Sequence, residues 1–195
     1  IITKKLVIDK LWHGMLHCET FGIDFFVVHL SPADCDFRLK EANIITKMVN
    51  DSKSDNFIIL GDFNAHSPFD EELLKPNQTL KKKYANNKSD KYTNLRLGEF
   101  DYAAVSGLIA LPAIDICTKF IKIEDRYTYP SPVLIGSYRK TMHEVIKTRE
   151  RIDYILTSPK LTQSCTNVTI YNQGEAETFS DHYPIMAEFK FKTVQ

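Results

Sequence analysis

The sequence contains no run of about 18 apolar residues, which excludes a membrane-spanning helix. It also lacks net charge, since 25 Lys and Arg balance 25 Asp and Glu in 195 residues. A chain-wide basic field that would grip nucleic acid regardless of sequence is therefore missing, although a local basic face is compatible with the balance. The four cysteines, Cys18, Cys35, Cys117 and Cys165, stand far apart with no CxxC spacing, which argues against a zinc site and reads as buried free thiols. No internal repeat and no linker divides the chain. A hydrophobic content of 43% in this length suits one sizeable core, so residues 1–195 are expected to form a single domain, and a monomer. The chain opens at Ile1, inside what reads as a strand, so an upstream part is expected and the compartment stays open.

What is present is a strand-rich mixed pattern. KLVIDKLW (5–12), GMLHCETF (14–21) and FFVVHL (25–30) predict two or three antiparallel strands, with a turn at Gly22, Ile23 and Asp24. Ser31 to Asp36 supplies the Pro and Asp that precede a helix. From Phe37 to Val49, Ala42, Ile45, Met48 and Val49 fall on one stripe with Arg38, Lys40, Glu41 and Lys47 elsewhere, an amphipathic helix. FIIL (57–60) reads as an interior strand covered on both faces. Asp70 to Asn94, containing KKKYANNKSDKY, is the least ordered-looking segment and is read as a solvated loop or helix surface in preference to a dedicated nucleic-acid contact. Leu95 to Leu111 is expected to be helical, ICTKFIKI (116–123) to be a strand, and RIDYIL, CTNVTIYN and the alternating YPIMAEFKFK to be three more strands.

Four polar packets sit at or just beyond the ends of apolar strands: VVHLSP with His29, GDFNAH with Asp62, Asn64 and His66, RIDY with Asp153, and SDHYP with Asp181 and His182. Taken singly each has an ordinary explanation. A histidine beside apolar residues is commonly a satisfied core residue, and Gly-Asp after a strand is commonly a turn. Asp153 is less ordinary, because a carboxylate in an apolar strand costs several kcal/mol unless a partner satisfies it. His182 suits that role, since a carboxylate on one imidazole nitrogen sets the tautomer and leaves the other nitrogen for proton transfer.

Together the packets VVHLSP, LGDFNAH, RIDYIL and SDHYPI resemble the endonuclease/exonuclease/phosphatase superfamily, in that family's order. The likeness covers essentially all 195 residues, with Asp70 to Glu124 matched only by placement. It implies an α+β fold, a four-layer α/β/β/α sandwich of two mixed β-sheets flanked by helices, N-terminally incomplete here. It implies a hydrolase of phosphate esters dependent on Mg²⁺ or Mn²⁺, acting on nucleic acid or on a small-molecule or lipid headgroup phosphate. The catalytic residues it implies are Asp62 for the attacking water, Asn64 to hold that water or a phosphate oxygen, His182 as the central histidine, Asp153 to orient it, and His29 at the phosphate. Asp62 and Asp181 would serve the metal. His66 has no assigned role, and the family's Asn and Glu ligands are expected upstream of Ile1. A basic rim for a nuclease would come from Lys81 to Lys83, Lys88, Arg139, Lys140, Lys147, Arg149 and Arg151, whereas Tyr127, Tyr129 and Tyr138 would wall a narrower pocket for a small phosphate ester. The competing expectation is a catalytically silent module of the same fold that binds phospho-ligands or proteins.

Overall fold

The computed structural model describes residues 2–87 and 92–191. Three antiparallel strands open it: β1 (Ile2–Val7), β2 (Met15–Thr20) and β3 (Ile23–His29). The first strand lies earlier than predicted, ending at Val7. Ile23 and Asp24 belong to β3 rather than to the turn, because the turn is made by Phe21 and Gly22, both at positive φ (52° and 69°), the geometry that closes a tight hairpin.

Helix α1 (Cys35–Ser52) begins where Asp34 accepts the Phe37 N–H at 2.8 Å. Its predicted stripe of Ala42, Ile45 and Val49 is buried, but so are Arg38 and Glu41, which the sequence pattern assigns to the polar side. Both fall at helical spacing from Ala42 and Ile45, and both are tolerated because they satisfy backbone groups of incoming loops. Glu41 accepts the N–H groups of Trp12 and Ser31, each at 2.7 Å, while Arg38 donates to the carbonyls of Ser31, Ala33 and Thr93 and to the Asn94 side chain.

Strand β4 (Phe57–Asp62) leads into α2 (Glu71–Leu74) and α3 (Gln78–Ala85), so part of the segment read as a solvated loop or helix surface is helical, with some of its side chains buried. Leu74 and Leu80 are buried there against Phe100, and Asn77 caps α3 by accepting the Leu80 N–H at 3.0 Å. Between 95 and 111 the predicted helix is confined to α4 (Ala103–Ile109), since Leu97 and Gly98 at positive φ turn β5 (Leu95–Arg96) back on β6 (Glu99–Phe100). ICTKFIKI is likewise not a strand: β7 (Ile114–Asp115) is short, and Asp115 starts α5 (Cys117–Phe120) by accepting the Cys117 N–H on its side chain and the Thr118 hydroxyl on its carbonyl. Helix α6 (Met142–Lys147), β8 (Asp153–Thr157), α7 (Pro159–Thr162), β9 (Cys165–Ile170) and β10 (Ile185–Phe189) complete the described chain.

The main sheet has the order β1-β2-β3-β4-β8-β7, mixed because β3 and β4 are parallel while the other pairs are antiparallel. FIIL is covered on both faces, as its apolar run implies. Ile59 packs with Phe26, Leu156 and the helix residues Ala42, Ile45, Val105 and Leu108, whereas Ile58 packs with Ile155 and, from the β9–β10 sheet, Val168, Ile170 and Ile185. The result is the expected α+β arrangement of sheets packed face to face with flanking helices. All four cysteines are free thiols, Cys35 and Cys117 buried and the other two half-buried. No described helix is long and apolar enough to cross a membrane.

Candidate active site

Strand register alone brings three titratable side chains to one rim. His29 is the partner of Asp62 across β3 and β4, and Asp62 is the partner of Asp153 across β4 and β8. Gly61 permits the close approach: at φ 133°, a Cβ there would lie 1.9 Å from the Val28 carbonyl oxygen. Immediately after the strand, Asp62 Oδ1 accepts the Asn64 N–H at 2.7 Å, which holds Asn64 at φ 46°. The Asn64 amide donates to the Leu30 carbonyl at 2.9 Å and to Asp62 Oδ2 at 3.2 Å, so the β3 and β4 ends are tied together through this side chain.

His182 arrives from a loop pinned against residues 128–131. Tyr183 N–H donates to the Thr128 carbonyl (2.8 Å) and Ser131 N–H to the Asp181 carbonyl (3.0 Å), while the Thr128 hydroxyl accepts the N–H groups of Ile152 and Asp153. One buried threonine therefore registers the histidine loop against the Asp153 strand. The outcome is a His182 Nδ1 to Asp153 Oδ2 distance of 2.9 Å, with Nε2 4.0 Å from Asp62 Oδ2. His29 Nε2 lies 3.4 Å from the same Asp62 oxygen, and its half-exposed ring is stacked on His13 at 3.9 Å between centroids. A cavity of about 670 Å³ opens over these groups.

Burial, then the charge of Asp153, pushes the Asp62 carboxyl up to about 7 against the pull of His182. Burial disfavours the His182 imidazolium, but the hydrogen bond and charge of Asp153, with Asp62 and Asp181 behind, raise it to about 9. His29 is lowered, by burial and by His13 and His182. At neutral pH the rim thus pairs a protonated His182 with a carboxyl poised near its midpoint.

Asp62, Asp153 and His182 present ligand atoms all within 4.8 Å of one another. The two converging carboxylates fit a divalent cation beside the protonated imidazole, and the mutual repulsion that raises Asp62 is what a cation would relieve. Asp181 lines the same cavity without belonging to that group, and His66 lies beneath the floor, fully buried, with Nε2 2.7 Å from Glu150 Oε2. Among the lining residues that sequence reasoning did not single out are His13, Tyr84, Asn94 and Glu150, while Lys83 was named only as part of a lysine run. Only the position of Glu150 directly ahead of RIDY hinted at it.

The expected basic rim is largely dispersed. Arg151 is buried between Asp70 and Asp115, 2.7 Å from each, and Arg139 is buried against Thr148. Both are held inside the fold, Arg151 by its two carboxylates and Arg139 by the Thr148 hydroxyl and the Tyr138 carbonyl. Lys81 pairs with Glu99, Arg149 stacks 4.0 Å from the Tyr127 ring, Lys140 and Lys147 are exposed away from the cavity lining, and Lys88 lies outside the described residues. Of the three tyrosines, Tyr129 walls the cavity, Tyr127 packs on Tyr183 and Tyr138 is exposed.

A mixed sheet whose central strand ends in Asp and Asn, faced by a His–Asp pair, defines a protein of the deoxyribonuclease I-like class. The family profile described as Endonuclease/Exonuclease/phosphatase family matches residues 7–182, and the chain belongs to that family. No curated protein matches it in sequence. Among solved structures it is similar to the 3′-5′ exonuclease NExo from Neisseria meningitidis (TM-score 0.64, 23% identity) and to a 3′ phosphatase NExo from Neisseria bound to product DNA hairpin (0.63, 21%). An AP endonuclease from Archaeoglobus fulgidus gives 0.63 at 18% identity. Each alignment covers 91% of this chain but 65% of the other, so the chain spans just under two thirds of those proteins. At these identities the structures establish the fold, and the family as a whole supports phosphoesterase chemistry.

Proposed function

We propose that the protein is a divalent-metal-dependent hydrolase of phosphate esters in nucleic acid, working as a single-domain monomer. The observation that carries this is the convergence of Asp62, Asp153 and His182 at one rim, with His182 Nδ1 held by Asp153 and Nε2 turned towards Asp62. The nucleic-acid substrates named for the structural neighbours favour that substrate class over a lipid headgroup.

Asp62 holds the attacking water and takes its proton as the water oxygen bonds to phosphorus. Asn64 steadies the Asp62 carboxylate and the adjoining strand end, so the water is held in a fixed line. His182, kept protonated by Asp153, donates from Nε2 to the phosphoryl or leaving oxygen as the ester P–O bond breaks. His29, neutral and half-exposed, donates to a non-bridging oxygen. A cation held by Asp62 and Asp153, with Asp181 acting through water, would neutralise phosphate charge and lower the pKa of bound water.

The test is hydrolysis of a labelled oligonucleotide and of plasmid DNA with Mg²⁺, Mn²⁺ or a chelator. Turnover that requires the ion and is lost in folded Asp62→Asn and His182→Ala supports the assignment. Folded protein that binds but cleaves neither DNA nor simple phosphate mono- and diesters would identify a silent binding module instead.

A further inference from the structure

Three consecutive lysines on α3 have three different fates. Lys82 is exposed, Lys81 pairs with Glu99 at 2.6 Å, and Lys83 is drawn inward to the wall of the active-site cavity. What draws it in is Glu150, whose carboxylate is fully buried and receives three groups: the Tyr84 hydroxyl at 2.6 Å and His66 Nε2 at 2.7 Å on Oε2, and Lys83 Nζ at 3.1 Å on Oε1. Tyr84 is itself fixed, accepting from the Asn94 amide at 3.0 Å. Among the described residues, Glu150 is the only hydrogen-bond partner of the Lys83 ammonium, which has three donors, and the side chain keeps about a third of its surface, 31%, open. The ammonium also lies 5.1 Å from the Tyr84 ring and 5.3 Å from the Tyr129 ring, contacts that hold a cation without using its remaining N–H groups.

Tyr129 connects this cation to the chemistry. Its ring centroid is 4.8 Å from that of His182, so Lys83 and His182 flank one aromatic wall of one cavity. The cavity, about 670 Å³, is larger than a single phosphoryl group fills, and among the described residues Lys83 is the lysine that lines the part away from Asp62.

We propose that Lys83, held out by Glu150, anchors a second anionic group of the substrate, the phosphate adjoining the one cleaved at Asp62 and His182, and thereby selects esters that carry several phosphates along one backbone. An ammonium stabilised only to neutralise Glu150 would be buried with its donors consumed. Here the carboxylate is already served twice on its other oxygen, and the cation faces the cavity. A choline-type headgroup would meet repulsion from the same charge. The inference deepens the hydrolase reading above and rests on it for the location of the cleaved phosphate.

The experiment measures binding of a fluorescein-labelled single-stranded oligonucleotide by anisotropy, in chelator, across a range of salt concentrations. The proteins are wild type, Lys83→Gln, which keeps a donor for Glu150, Lys83→Arg, and the neighbouring control Lys82→Gln. Lys83→Gln is expected to bind about tenfold more weakly and to lower the slope of log affinity against log salt by about one, the signature of one lost phosphate contact. Lys83→Arg restores both, and Lys82→Gln stays within twofold of wild type. The proposal is overturned if Lys83→Gln matches wild type in affinity and slope, if Lys82→Gln loses as much, or if wild type does not bind the oligonucleotide. Cleavage by wild type of bis(p-nitrophenyl) phosphate, a diester with no second phosphate, checks the hydrolase reading separately. Cleavage with no Lys83 effect on binding removes the anchor and keeps the hydrolase, whereas a Lys83 effect on binding with no cleavage of this diester or of DNA removes the hydrolase and overturns the anchor as a contact beside a cleaved phosphate.

Discussion

Asp62 and His182 are displaced from their ordinary proton affinities in the same upward direction, with opposite consequences for stability. His182 is raised from 6.5 to about 9, so its protonation favours the fold; that contribution is complete below pH 6.5 and disappears as pH rises through 9. An NMR titration of the imidazole is expected to show a midpoint near 9 that falls markedly in Asp153→Asn. Asp62, raised from 3.8 to about 7, prefers to be neutral in the fold, so ionising it costs stability progressively between pH 4 and 7. In chelator at pH 8, Asp62→Asn is therefore expected to melt at a higher temperature than wild type, while with Mg²⁺ or Mn²⁺ present its hydrolytic rate falls about 10²- to 10⁴-fold below wild type. A lower melting temperature for Asp62→Asn under those conditions would contradict the buried repulsion between Asp62 and Asp153.

At the scale of elements, the site depends on how β3, β4 and β8 are held at one end. Gly61 allows β4 to pass the Val28 carbonyl, and no side chain fits there. Gly61→Ala is expected to destabilise by more than about 2 kcal/mol and to lose activity in the remaining folded fraction, because relieving the clash moves Asp62 away from His29 and Asp153. Denaturant unfolding with parallel rate measurements reads both effects. At the start of α1, Asp34→Ala removes one capping bond and is expected to cost about 1 kcal/mol with little effect on rate, since Asp34 is outside the cavity lining. The Arg151 network belongs to this scale too. It fixes the approach to β8 through Asp70, which α2 follows, and Asp115 on β7, so Asp115→Ala leaves a buried guanidinium short of a partner and is expected to destabilise by about 3 kcal/mol.

For the whole molecule, cation binding and stability are linked. An ion that binds the folded chain alone raises stability by about 2.7 kcal/mol at a hundredfold excess over its Kd. Mg²⁺ or Mn²⁺ is accordingly expected to raise the melting temperature of wild type and to leave Asp62→Asn nearly unmoved, with the larger wild-type shift at pH 8 than at pH 5, where Asp62 holds its proton. Equal shifts in both proteins would place the ion elsewhere.

The sequence by itself determined the family, the identity of the strands that carry VVHLSP, LGDFNAH, RIDYIL and SDHYPI, and the pairing of Asp153 with His182. The family rests on the resemblance those four motifs carry, while the strands and the Asp153–His182 pairing were legible because apolar periodicity and an otherwise unsatisfied buried carboxylate are local signals. The sequence misjudged Arg38, Glu41 and Arg151 as surface groups, named Lys83 only within the run Lys81 to Lys83, and passed over Glu150. Whether a charge is buried depends on partners distant in the chain: 29 residues from Trp12 to Glu41, 81 from Asp70 to Arg151, 67 from Lys83 to Glu150. Only the tertiary structure decided which lysine of Lys81 to Lys83 lines the cavity, because helical geometry turns each of the three in a different direction and Glu150 satisfies one of them.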